Sequence, residues 1–451
     1  MTAQNFSVNG QRVLVVGAAR SGVAAAHLLA RRGARVTLTD RQPAVPEEAA
    51  LRAAGIALEL GGHHAASFDS ASLIVMSPGV PLALPELARA RAHGVPVIGE
   101  LELASRWLRG PIVAITGTKG KSTTTTLVGR MLEAAGRRVL VGGNIGYPVS
   151  AQVDESTADT VHVIEASSFQ LETTETFRPW ISALLNFSPD HLDRHADEAA
   201  YAAAKQRIFA NQGPDDWAVV NADSAEATAM TTTVRAHVVT YSTDSPAADV
   251  HVGRGFVWQR TSEGDIPLLP LASVQLQGRH MLSNVVAATA ISHLAGASGA
   301  SLARALEGFH GLEHVMELVA TRGGVRFIND SKATNVDAAA KSIASFEKVI
   351  AIIGGRFKGG SFADLAEPLR RHGRAVVAIG EARPLISAAL QDVVPVVEAD
   401  SLAEAVHKAW DLAVPDGVVL LAPACSSFDM FTDYADRGRQ FKEEVKKLIE
   451  S

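Results

Sequence analysis

Along most of the chain a short run of β-branched and aliphatic residues leads into a glycine-bearing turn and then into a stretch with apolar residues at helical spacing. That alternation predicts strand–turn–helix units and parallel sheets, hence an α/β fold. Residues 12–16 read as a strand, 17–22 as a turn and 23–32 as a helix with an Ala/Leu face. Strands at 35–39, ending at Asp40, and at 73–76, running into Ser77-Pro78-Gly79, complete a first nucleotide-binding-like unit. A second unit opens with a strand at 112–115 and continues with strands at 161–164, 181–186 and 217–221. A third carries strands near 325–328, 349–353, 375–379 and 418–421.

Gly and Pro punctuate residues 107–111, the best candidate linker. Three domains are expected: a Rossmann-like N-terminal domain (1–109), a central P-loop ATPase-like domain (110–310) and a Rossmann-like C-terminal domain (311–451). The length of 451 residues agrees, at roughly 150 residues per domain. With 47% hydrophobic and 20% charged residues the chain has the balance of a globular protein. No apolar run approaches the ~20 residues of a membrane span and the first residues lack a basic leader, so a cytoplasmic protein without membrane insertion is expected. A single cysteine, Cys425, agrees with a reducing compartment. The 42 Lys and Arg against 48 Asp and Glu give a net charge of −6, which disfavours a nucleic-acid partner.

The strongest chemical signal is Gly117-Thr118-Lys119-Gly120-Lys121-Ser122-Thr123, between a predicted strand and a helical stretch at 125–135. Such a loop turns backbone N–H groups toward an anion, its lysine reaches terminal phosphates and its hydroxyl ligates Mg²⁺. It is shorter than G-x-x-x-x-G-K-S/T, and the same residues also fit an ordinary glycine turn with surface lysines. Near the N-terminus, Gly17-Ala18-Ala19-Arg20-Ser21-Gly22 has Ala19 where a dinucleotide fingerprint needs its second glycine. A redox dinucleotide and the phosphates of a different nucleotide both remain open there. Asp40 fits either a ribose contact or a strand-end turn.

A third signal is Asp190-His191-Leu192-Asp193-Arg194-His195, with Lys205 following in Tyr201–Phe209. On a helix His191 and His195 would share a face, which admits zinc. Without a nearby cysteine or an intervening glutamate, and downstream of a phosphate loop, sparse ligation of Mg²⁺ is the better match. Glu165, following the strand at 161–164, is either its carboxylate partner or a cap before Ala166-Ser167-Ser168. The loops at 329–335, 354–360 and 422–429 follow predicted strands, where open α/β sheets bind ligands, though solvated turns look the same. Cys425 is a nucleophile without an evident histidine, or a structural thiol.

Taken in order, GTKGKSTT, EASSFQLE (165–172), NFSPDHLDRH (186–195), the YxxAKxRIF segment, NDSKATN (329–335) and PACSSFD (423–429) resemble the Mur ligase family over essentially the whole chain. The resemblance implies an ATP-dependent amide ligase of peptidoglycan synthesis that uses Mg²⁺ and joins D-glutamate to UDP-N-acetylmuramoyl-L-alanine through an acyl phosphate. By motif, it implies that Gly117 to Thr123 hold ATP, with Lys121, His191 and Lys205 catalytic. Ser122, Glu165, His191 and a carbamylated Lys205 would hold magnesium. Asn284 and Asp330 would contact adenine and ribose. Ser21, Asp40, Arg41, Ser77, Pro78, Gly79 and Asn144 would contact the uridine-diphosphate substrate, and Thr334, Lys358, Ser427, Phe428 and Tyr434 the D-glutamate. Met281, Val315 and Phe357 depart from the Asn, Arg and Asp usual among related ligases.

Overall fold

The computed structural model describes residues 6–450 apart from 46, 189, 192–193, 277–278, 310 and 358. Among the described residues the strands form three sheets. One compact unit, ending at Phe309, contains the first two, and a second unit contains the third. No helix among the described residues is long and apolar enough to cross a membrane.

The N-terminal sheet runs Ala57–Leu60, Arg35–Asp40, Arg12–Val16, Leu73–Met76, Val97–Gly99 in space, all pairs parallel. Its middle strand is aliphatic on both faces, and Val13 to Val16 are all buried, because helices must cover both sides of a parallel sheet. The chain steps to one side of Arg12–Val16 and later to the other. That switch point opens a crevice between the loops at Gly17 and Ser77.

In the second sheet the spatial order is Gly264–Pro270, Phe256–Thr261, Val250–Gly253, His237–Ser242, Trp217–Asn221, Ile181–Leu184, Ile112–Thr116, Thr160–Glu165, Arg138–Gly143. Ile112–Thr116 therefore lies between the strand that ends at Glu165 and the one that leads to Asn186. Two expectations are corrected here. Glu165 is the last residue of its strand rather than the residue after it, and the helix behind the phosphate loop is Lys121–Ala134, four residues longer at its start than the sequence pattern gave. Thr123, Thr124 and Thr125 have modest helix propensity, but they are buried, and packing overrides propensity. The sheet is also not wholly parallel: its last three strands form an antiparallel meander turning at Gly255 and Gly264.

The C-terminal sheet runs Glu317–Arg322, Val325–Asn329, Val418–Leu421, Val349–Gly354, Gly373–Ile379, Val396–Glu398, parallel except for its first pair. Its two apolar layers centre on Ile328, Ala351 and Leu420 on one face and Phe327, Ile352 and Val419 on the other. The helix Tyr434–Glu450 lays Phe441, Val445 and Leu448 on the second layer.

Candidate active site

The loop between Ile112–Thr116 and the helix Lys121–Ala134 is fixed by its own backbone. Gly120 has φ 80°, and a Cβ there would stand 2.2 Å from Asn284 Oδ1, so glycine is required. Lys119 N–H donates to Asn186 Oδ1 at 2.9 Å and Asn186 Nδ2 donates back to the Lys119 carbonyl at 3.0 Å. Thr118 Oγ1 donates to the Ser188 carbonyl at 3.0 Å and accepts from Ser188 N–H at 3.1 Å. Lys121 Nζ curls over the loop onto the carbonyls of Gly117 at 2.8 Å and Thr118 at 3.0 Å. Ser122 and Thr123 stand in the first turn of the helix, where unbonded N–H groups and the helix dipole favour an anion.

Beside the loop lie a buried carboxylate and a buried amine. Glu165 Oε1 accepts from Asn144 Nδ2 at 2.7 Å, while Oε2 is buried with no hydrogen-bond partner among the described residues. Lys205, on the helix Glu198–Gln206, is only 1% exposed; its Nζ donates to the Gly117 carbonyl at 2.9 Å and lies 4.6 Å from the centre of the Tyr201 ring. Burial, and then the charge of Lys121, depress its pKa from 10.5 to about 7, against the opposing pull of Asp190 and Glu165. Near neutral pH a substantial fraction of this lysine is therefore uncharged.

His191 and His195 do not share a helix face. His191 has φ 55° in a turn closed by Arg194 and His195 N–H groups on its carbonyl, and Asp190 Oδ1 accepts its own N–H at 2.9 Å. The two rings are neighbours because both pack on Phe169, His191 edge-on at 5.1 Å and His195 stacked at 5.2 Å. His195 also bonds Ser168 Oγ at 3.0 Å, and burial lowers its pKa. Among the described residues no three His, Cys, Asp or Glu side chains gather into a metal cage.

Ser21, Ser77, Pro78, Gly79 and Asn144 line one cleft of about 230 Å³ at the N-terminal switch point. Asp40 and Arg41 are not among its lining residues. Asp40 caps the strand end, accepting Ala18 N–H at 2.6 Å and Gln42 N–H at 2.8 Å. Arg194, absent from the sequence-based site, spans from the Phe169 ring to the Gly79 carbonyl at 3.1 Å. It thus joins the histidine segment to the cleft. Asn284 stands close to Gly120, and its Nδ2 donates a weak hydrogen bond to Met281 Sδ at 3.9 Å.

In the second unit Asp330 is buried, its carboxylate accepting from Met316 N–H at 3.2 Å and from Ser342 Oγ, and burial raises its pKa. Thr334 lies on the loop after Val325–Asn329, and buried Ser427 and exposed Phe428 lie on the loop after Val418–Leu421. Tyr434 opens the last helix, its carbonyl accepting from Ser331 Oγ at 2.7 Å. Lys358 lies outside the described residues. Cys425 is fully buried, which favours the structural thiol. Asn186 and Tyr201, which pin and wall the phosphate loop, stood inside recognised motifs without an assigned role, the only signal being their position at a strand end and one helical turn before Lys205.

A glycine loop that ends in lysine and hydroxyls, set beside a buried carboxylate and a half-neutral lysine, defines a multidomain α/β protein that handles nucleotide phosphates. Three family models match along the chain: the Mur ligase MurD-like N-terminal domain at 11–99, the Mur ligase middle domain at 115–292 and the Mur ligase glutamate ligase domain at 316–425. The chain belongs to the Mur ligase family. It is 46% identical to UDP-N-acetylmuramoylalanine–D-glutamate ligase of Acidobacterium capsulatum over 98% of this chain and 97% of that one. The protein of the same name from Anaeromyxobacter dehalogenans is also 46% identical, over 96% and 97% of the two chains. The solved UDP-N-acetylmuramate–alanine ligase of Thermotoga maritima shares the fold, with a TM-score of 0.56 and 20% identity over 97% of this chain and all of that one.

Proposed function

We propose that this protein is an ATP-dependent ligase that joins D-glutamate to UDP-N-acetylmuramoyl-L-alanine in the cytoplasm. The observation that carries the chemistry is the phosphate loop with buried Glu165 and Lys205 against it, and the names of full-length relatives support the substrates. A carboxylate oxygen of the first substrate attacks the γ-phosphorus of ATP as the bond to ADP breaks, giving an acyl phosphate. The amine of D-glutamate then adds to the acyl carbon, loses a proton and expels phosphate.

Each group of residues has a part. Gly117 to Gly120 present backbone N–H groups to the β- and γ-phosphates, and Lys121 swings from its loop carbonyls to the charge that develops during transfer. Asn284, seated on Gly120, contributes to the nucleotide site from the loop side, and Asp330 is the ribose contact. The unpartnered Glu165 oxygen, the Ser122 hydroxyl and the half-exposed His191 ring suit a hard divalent cation. Mg²⁺ bound there supplies charge stabilisation to the transferring phosphoryl group. The neutral fraction of Lys205 is a nucleophile for CO₂; the N–C bond forms, one proton leaves the nitrogen, and the neutral amine becomes a carbamate anion near Lys121. Ser21, Ser77 to Gly79 and Asn144 hold the uridine-diphosphate substrate, with Asp40 and Arg41 shaping the adjoining strand end. Thr334, Lys358, Ser427, Phe428 and Tyr434 receive D-glutamate.

Phosphate release with UDP-N-acetylmuramoyl-L-alanine and ATP tests this directly, comparing D-glutamate with L-glutamate, L-alanine and a diamino acid. Release that depends on D-glutamate alone is expected. Equal release with any other amine acceptor, or nicotinamide binding without ATP turnover, would refute it.

A further inference from the structure

Among the described residues Arg437 is the largest fully buried side chain, at 0% exposure, in the first turn of the helix Tyr434–Glu450. Among the described residues no carboxylate forms an ion pair with it; burial outweighs Cys425 and Asp429, which favour its charge only from beyond contact, an expensive arrangement for a guanidinium. Burial lowers its pKa only to about 10, so the group stays charged at neutral pH.

Its hydrogen bonds fall on three loops. Nε and Nη2 donate to Ser331 Oγ and the Ser331 carbonyl, each at 3.0 Å. Nη1 and Nη2 both donate to the Cys425 carbonyl at 3.3 Å, and Nη1 reaches the Gly354 carbonyl at 3.5 Å. These loops follow Val325–Asn329, Val418–Leu421 and Val349–Gly354, which are adjacent parallel strands. A Cβ on Gly355 would stand 3.3 Å from Nη1 and 2.2 Å from the Ser426 carbonyl, so the third loop is glycine where it closes on the tie. Lysine, with three donors on one atom, cannot reproduce a planar fork of five N–H groups.

We propose that Arg437 is the positioning residue of the D-glutamate site: its guanidinium ties the loops that carry Thr334 and Ser427 to each other and to the strand end at Gly354, and so sets the spacing at which Thr334 and Ser427 meet the amino acid. This rests on the D-glutamate function proposed above. Thr334 is three residues past the tie at Ser331 and Ser427 two past Cys425, so both are carried on a short tether. Displacement of a substrate-holding group by an ångström costs on the order of a hundredfold, which makes such spacing worth a buried charge.

The test uses full-length Arg437→Lys and Arg437→Met, with Ser331→Ala as a milder variant that removes the hydroxyl bonded to Arg437 Nε and to the Tyr434 carbonyl and keeps the guanidinium. In folded variants the KM for D-glutamate should rise about tenfold to a hundredfold, and the KM for ATP, whose proposed ribose contact Asp330 adjoins Ser331, by a clearly smaller factor, the lysine variant being less affected than the methionine one. Hydrogen exchange without substrate should quicken together in 329–335, 354–360 and 422–429 and not elsewhere in the C-terminal unit. Parallel rises in the KM of every substrate, an unchanged KM for D-glutamate, or exchange that rises evenly across the unit would overturn the proposal. If Arg437 variants do not fold, Ser331→Ala decides by the same two measurements. Wild-type enzyme lacking D-glutamate-dependent phosphate release would refute the functional assignment instead, and the exchange pattern would still decide the tie.

Discussion

Replacing Lys205 with methionine keeps an apolar stem of similar length and removes the buried amine. The folded wild type holds this group with a pKa of about 7, against 10.5 for a free lysine. Between those values the unfolded chain binds the proton and the folded chain does not, so wild-type stability rises with pH through this window and is nearly flat below it. Integrated from pH 7 to pH 9, the gain is about 2 kcal/mol, at 1.36 kcal/mol per unit of pKa difference. Lys205→Met lacks the gain. Its lost hydrogen bond to the Gly117 carbonyl costs about 1 kcal/mol, partly offset because Lys121 also donates to that oxygen. Urea unfolding of both proteins at pH 6, 7, 8 and 9, in CO₂-free buffer without magnesium, should give curves that diverge upward for wild type above pH 7. With ¹³C-labelled CO₂ the wild type should acquire a carbamate carbonyl signal that Lys205→Met lacks, and Lys205→Ala should lose turnover and recover part of it with a short carboxylic acid. Parallel stability curves would mean the amine is charged in the folded protein, and full activity in Lys205→Ala would show that no anion is needed at this position.

Lys121→Ala should abolish turnover and cost about 1–2 kcal/mol of stability, since two loop hydrogen bonds go with it; near-normal ligation in the variant would rule out a role at the phosphates. It should also raise the Lys205 pKa, because Lys121 is the second cause of its depression, and this would be read as a shallower rise of stability above pH 7. Gly120→Ala places a Cβ against Asn284 Oδ1 at a backbone angle unfavourable to alanine, and should weaken ATP binding at least tenfold by calorimetry while Gly136→Ala, at open φ 80°, costs only about 1 kcal/mol of stability. His162 is fully buried, with burial lowering its pKa from 6.5 to about 4, so folded protein refuses a proton that the unfolded chain accepts between those values and stability falls as pH drops through them. His162→Gln, able to keep the contact with Ser156 Oγ, should remove up to about 3 kcal/mol of that acid sensitivity; identical acid unfolding curves would contradict it.

What the sequence disclosed and what it withheld divide along a physical line. Strands of the parallel sheets were legible because both faces are covered: Val13 to Val16, Val113 to Ile115 and Val418 to Leu421 are unbroken aliphatic runs that give way to Gly17, Thr116 and Ala422-Pro423. The ends of the parallel strands and the loops after them hold most of the proposed site, which is why a linear reading found Gly117 to Thr123 and Glu165. The antiparallel meander at Val250–Pro270 escaped, since its partly exposed strands Phe256–Thr261 and Gly264–Pro270 mix charge and proline with too little alternation to announce a sheet. The helical pairing of His191 with His195 failed for a different cause. A positive φ at His191 is set by Asp190 on its amide and by the aromatic packing on Phe169, neither of which spacing encodes. Arg437 was the least legible of all, because Tyr434-Ala435-Asp436-Arg437-Gly438-Arg439 reads as the polar start of a surface helix. Only when three parallel strands bring Ser331, Gly354 and Cys425 to one edge do their carbonyls make a pocket for a guanidinium. A residue whose partners are backbone oxygens from distant loops leaves no mark in composition or period, and the same holds for Asn186, whose side chain closes the phosphate loop through the main chain of Lys119. Side chains that act on other side chains reveal themselves as motifs; those that act on the backbone have to be found in the fold.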